Sequence, residues 1–157
     1  MNLTVQCDYA FRTLMFVAAR SPRSSTIKEV ADRYGISRGH LMVVVHRLGT
    51  LGFLDNTRGR GGGVKLARPA SAIRLDEVVR AIEPSFYLVE CFRPGADRCL
   101  LSSPCRLRGF LEEAMAAWLQ VLHKYTLADL VNRNPALTQL LNPPLTEVPR
   151  PARHAKA

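Results

Sequence analysis

No stretch of the 157-residue chain approaches the roughly eighteen uninterrupted apolar residues of a membrane-spanning helix. The N-terminus also lacks the basic, apolar and small-residue order of a secretory signal, so the cytoplasm is the expected location and no membrane partner is expected. His40, His46, His123 and His154 form no H-E-x-x-H pair, and no G-x-S-x-G elbow occurs. The chain is therefore not expected to be an enzyme. Its four cysteines contain no C-x2-C turn, the usual source of paired zinc ligands, and no internal repeat is evident. Acidic side chains are scarce, 13 against 22 Lys and Arg, a net charge of +9. With 47% apolar and 22% charged residues the chain is an ordinary globular one of about one domain.

The surplus charge is uneven. Residues 1–68 carry 11 basic and 4 acidic side chains, and residues 69–157 carry 11 and 9. A polyanionic partner, nucleic acid or an anionic surface, is expected at the N-terminal half, although a solvated basic face would look the same.

Cys7 to Ala19 reads as a buried helix with Asp8 in its first turn, ended by Arg20-Ser21-Pro22. A second helix starts at Thr26, with Ser25 or Thr26 as N-cap and Glu29 three residues after Thr26, and stops at Gly35. Ser37 caps a third, in which Leu41, Val44, Val45 and Leu48 share a face and Arg38, His40 and Arg47 project elsewhere. Two helices about a tight turn make a helix-turn-helix whose second helix enters the major groove. Phe53–Asn56 and Val64–Ala67 are strand candidates around Thr57-Arg58-Gly59-Arg60-Gly61-Gly62-Gly63, a wing. The glycines are followed by a strand and by no Gly-Lys-Ser or Gly-Lys-Thr, so they do not form a P-loop. Ser37, Arg38 and His40 are the candidates for base-edge or phosphate contact, Thr26 and Lys28 for the backbone, and Arg58 and Arg60 for a minor groove or phosphates.

A helix is expected over Ser71–Ile82, ending before Pro84. From Pro104 to Tyr125, Leu107, Leu111, Ala114, Trp118, Val121 and Tyr125 recur at alternating four and three, the seam of a helix pair. The fold class is thus mainly α with a small β-hairpin wing: a winged helix-turn-helix over 1–83, a cysteine-bearing loop over 84–105, and a dimerisation helix with a short following helix over 104–134. Residues 135–157, rich in proline from Pro143, are expected to be a disordered tail.

Cys91, Cys99 and Cys105 fall within fifteen residues as C-x7-C-x5-C, in a loop with Pro94, Gly95 and Pro104. Three grouped thiols in such a loop point to metal or redox chemistry, since a disulfide would leave one unpaired. An iron–sulfur cluster accepts this wide spacing best, ahead of zinc and then of a thiol redox sensor. Three thiolates leave one corner of a four-iron cluster open.

Asp8-Tyr9-Ala10-Phe11-Arg12, the helix-turn-helix from Ile27 to Leu51, the wing from Arg58 to Leu66 and the cysteine triad stand in one order. Over roughly residues 1–142 the chain resembles the bacterial iron–sulfur winged-helix regulators that include IscR and NsrR, the nitric-oxide-sensing NsrR branch above all. The resemblance implies a homodimeric repressor on an inverted-repeat operator in double-stranded DNA, released when nitric oxide attacks a 4Fe–4S cluster. It further implies Cys91, Cys99 and Cys105 as ligands, with Asp8 of the partner subunit as the fourth. The IscR branch has a histidine three residues after its third cysteine, where this chain has Arg108. Departures are the long first gap and Cys7 beside Asp8, either a competing ligand or a buried helix-start residue. The alternatives left open are an iron- or redox-sensing regulator on the same cysteines and a zinc-stabilised DNA-binding protein.

Overall fold

Each of the first three helices begins on a hydroxyl side chain, which is why the N-terminal half is built so regularly. In the computed structural model, which describes residues 3–57, 59, 62–95, 99–101, 104–132 and 134–142, helix α1 spans Val5–Ala19. The Thr4 hydroxyl accepts the Cys7 N–H, so the helix starts two residues before the expected Cys7. Helix α2 (Ile27–Tyr34) opens on a capping box: Thr26 accepts the Glu29 N–H, and the Glu29 carboxylate accepts the Thr26 N–H. Gly35 ends it at φ 65°, where a side chain would be strained, and donates to Ala31. Helix α3 (Arg38–Thr50) follows at once from Ser37, whose hydroxyl accepts the His40 N–H.

Strands β1 (Leu54–Thr57) and β2 (Gly63–Leu66) form an antiparallel hairpin with Leu54 opposite Leu66 and Thr57 opposite Gly63. The hairpin is not free. Ser25 N–H donates to Val64 O at 3.0 Å and Val64 N–H to Ser25 O at 2.6 Å, pinning β2 to the chain that enters α2. A Cβ at Gly63 would lie 2.8 Å from the Ser25 carbonyl oxygen, so glycine is what allows this approach.

Helix α4 is shorter than expected, Leu75–Ile82, because Ser71 belongs to a single 3-10 turn and Ile73 and Arg74 are extended. Leu127 N–H donates to Ile73 O at 2.8 Å and Leu75 N–H to Tyr125 O at 3.1 Å, so a longer helix would compete with this pairing. Helix α5 (Arg106–His123) is followed by α6 (Leu127–Val131), in the place expected for a short helix. The expectation of a disordered tail from 135 is corrected in part. Pro135–Leu141 form helix α7, with Asn134 accepting the Leu137 N–H and proline at the first position. Residues 143–157 lie outside the described residues.

Helix α1 sits between two cores. Its Cys7, Ala10, Leu14 and Val17 join Val44, Val45 and Leu48 of α3, Val64 of the wing, and Val78, Val79 and Ile82 of α4. Phe16 turns the other way, onto Val30, Ala31, Ile36, Leu41 and Leu141. The architecture is a winged helix-turn-helix with a long added helix. Among the described residues no helix is long and apolar enough to cross a membrane.

Candidate functional site

The buried face of α3 is complete: Leu41, Val44, Val45 and Leu48 are all at most 4% exposed. The opposite face, with Arg38, His40, Met42, Val43 and His46, is open to solvent. The His40 ring stands 6.4 Å from that of Tyr9. Behind α3, the buried Glu29 receives Arg20 at 2.9 Å and Arg23 at 3.0 Å, an ion cluster that fixes the start of α2 to the end of α1. Ser37, Thr26 and Lys28 are exposed at the starts of α3 and α2, but each is already engaged within the chain. Ser37 caps α3, the Thr26 hydroxyl serves Glu29 in both directions, and Lys28 pairs with Asp32 at 2.7 Å. Arg58 and Arg60 lie outside the described residues, between strands β1 and β2 in sequence.

The thiols occupy the connection between α4 and α5. Cys91 is half-buried in a 3-10 turn (Glu90–Phe92), Cys99 is exposed, and Cys105 is half-buried at the N-cap of α5. Among the described residues no three His, Cys, Asp or Glu side chains stand together as a metal-holding group, so the triad is not gathered in the single chain. The donor set nevertheless suits an iron–sulfur group. Three soft sulfur donors share one connection, and Cys105 makes no side-chain cap bond to α5. The first turn of that helix holds no acid, so its positive end favours an anionic ligand.

Asp8 is half-exposed on α1 and paired with Arg12 through two contacts, Nε to Oδ1 at 3.0 Å and Nη2 to Oδ2 at 2.9 Å. Arg12 in turn lies over the Tyr34 ring of α2, 5.7 Å from its centre. Cys7, one residue earlier, is wholly buried in the first core. Burial, and after it the Glu83 carboxylate, push its thiol up to about 12. In the single chain it is a core residue.

Glu83, which the sequence did not mark out, and Arg47, read there only as projecting off the buried face of α3, join the parts. Glu83, at the root of the cysteine connection, accepts both the backbone N–H (2.8 Å) and the hydroxyl (3.0 Å) of Thr4, the cap of the helix that bears Asp8. Arg47 of α3 donates to Ala81 O at the end of α4 (3.0 Å) and to Gln6 Oε1 of α1 (3.3 Å). Neither position carries a local signal, because their partners are between 34 and 79 residues away in sequence. A cleft of about 670 Å³ lies between the connection and α5, with Phe86, Tyr87, Phe92, Arg108 and Glu112 in its wall.

The expected seam of α5 divides. Leu119 is buried, and Trp118 and Leu122 pack on the first core. Leu107, Val121 and Tyr125 are 60%, 50% and 49% exposed, Leu111 is half-buried, and Ala114 is open.

Comparison with known proteins places this arrangement. The HTH-type transcriptional regulator NsrR of Bacillus subtilis (strain 168) is 46% identical over 142 residues, 90% of this chain and 97% of that protein. Its namesake in Shouchella clausii (strain KSM-K16) is 44% identical over 148 residues, 94% of this chain and 99% of that protein. Among solved structures, IscR of T. potens superposes with a TM-score of 0.65 at 22% identity, over 84% of this chain and 87% of that one. CymR, the global cysteine regulator of B. subtilis, does so at 0.65 and 21%, over 84% and 97%. Residues 3–133 match the Rrf2 family, described as iron-dependent transcriptional regulators. The chain belongs to the Rrf2 family of transcriptional regulators.

Proposed function

We propose that the chain is a homodimeric repressor that binds an inverted-repeat operator and lets it go in response to nitric oxide. The exposed face of α3 reads the major groove, from Ser37, Arg38 and His40 onward. Thr26 and Lys28 lie along the phosphates, and Arg58 and Arg60 extend the wing to the backbone or minor groove. Leu107, Leu111, Ala114 and Val121 of α5, with Tyr125 just beyond its end, meet a second copy, and Trp118 bridges that contact and the chain's own core.

Cys91, Cys99 and Cys105 would hold a 4Fe–4S cluster together with Asp8 of the partner subunit. When bound, such a cluster supplies iron that reacts with nitric oxide. The chain's own residues turn a change at the ligands into a change at DNA. Arg12 holds the Asp8 carboxylate and rests on Tyr34, so displacement of that carboxylate is felt at α2. Glu83 ties the root of the thiol connection to the cap of the same helix, and Arg47 ties the end of α4 to α3. The observation that carries the reading is this continuity of bonded groups, in a chain 46% identical to an NsrR, between the thiol connection and the reading helix.

The test is iron and acid-labile sulfide per chain on anaerobically purified protein, with DNA binding before and after stoichiometric nitric oxide. Four of each, and DNA released by nitric oxide, are expected. Zinc without sulfide would sink the sensor. The iron-dependence in the family's description favours a second reading, a regulator of iron supply. DNA release on iron removal but not on nitric oxide would select it.

A further inference from the structure

Helix α3 contains no Asp, Glu, Asn or Gln from Arg38 to Thr50. It therefore offers no carboxylate to accept from cytosine and no carboxamide to bind adenine through two hydrogen bonds. The centre of its outward face is apolar: Met42 is 59% and Val43 58% exposed. Gly39 lies one turn before them and His46 one turn after, so the four positions form a single stripe. Met42 and Val43 are not displaced core residues, because Leu41, Val44, Val45 and Leu48 already fill the inner face. Gly39 meets nothing within 4 Å of a would-be Cβ, which leaves room for close approach at the N-terminal end of the stripe.

The surroundings limit what can cover two adjacent apolar groups here. The helix is purely cationic, with Arg38 and Arg47, and it is the second helix of the helix-turn-helix. In the major groove the one apolar group on a base edge is the 5-methyl of thymine. We infer that Met42 and Val43 read thymine in each half-site by contact with that methyl group. The inference rests on the DNA-binding function proposed above and adds to it the chemistry of base selection.

The full chain is used to select bound duplexes from a randomised pool, and each thymine of the winning site is then replaced in turn by deoxyuridine. This keeps the base pair and removes only the methyl. The expected result is a loss of about fourfold at one or two thymines per half-site, from the contact area of one methyl group. Those losses disappear in Met42→Ala or Val43→Ala. Both side chains are exposed, so the variants keep the fold, and their binding to unselected duplex, carried by phosphate contacts, stays as in the parent. Equal affinity for thymine and deoxyuridine at every position overturns the inference, as do losses that persist unchanged in both variants. Variants that alter self-association while leaving those losses intact would assign the face to a protein contact and overturn it likewise. Binding to no duplex at all would instead remove the DNA-binding function itself.

Discussion

Glu29 and Cys7 show how much one buried side chain can decide. Glu29 combines the cap of α2 with two guanidinium partners. Only the first role is legible in sequence, as Thr26 three residues ahead of it, since Arg20 and Arg23 arrive through the bend after α1. Cys7 stood in sequence as a rival to Asp8. The sequence also offered it as a buried helix-start residue, and the fold buries it, beside a Glu83 that local pattern does not place there across 76 residues. The folded state raises this thiol from 9.0 to about 12, so it disfavours the thiolate. The resulting contribution to stability is complete below about pH 9 and drains away as pH rises toward 12. Cys7→Ala should therefore flatten the fall of melting temperature across that window, measured by circular dichroism. A slope equal to the parent's would show that Cys7 does not titrate as a buried group.

At the scale of elements, α3 is held from behind by Arg47, which clamps it to α1 and to the end of α4. Arg47→Met keeps the apolar stem and deletes both hydrogen bonds. We expect about 1–2 kcal/mol lower stability in urea. We also expect a narrowing, by about five- to tenfold, of the difference in DNA affinity between iron-loaded and iron-free protein. An undiminished difference would show that the clamp is structural only. The helix-turn-helix and wing were legible because Thr26, Glu29, Gly35 and Ser37 act on neighbours within four residues. The start of α4 was misplaced because its rival partners, Tyr125 and Leu127, come from the α5–α6 junction. Helix α7 carried its own signal, Asn134 followed by Pro135, but it was read together with the prolines beyond it. The thiol connection stood out in sequence by the grouping of its cysteines and not by its geometry, since irregular backbone obeys no period.

For the whole molecule, the exposed part of α5 is the largest question of assembly. Leu107 and Val121 stand in solvent in the single chain, so replacing them should leave the monomer fold intact. Leu107→Glu with Val121→Asp is expected to convert dimer to monomer in sedimentation velocity and to weaken operator binding by at least about a hundredfold, as two linked half-sites become independent. A variant that remains dimeric would remove α5 from the interface. The heptad-like spacing of α5 was visible in sequence, whereas the turning of Trp118 into the chain's own core was not. At the opposite end, Leu141 is buried with Phe16 and Leu41, Arg20 donates to its carbonyl, and Asn142 donates to Ala19 O. The last helix described thus closes the floor beneath the reading head. During synthesis the helix-turn-helix emerges well before residue 141, so its second core stays open until α7 has followed it out of the ribosome.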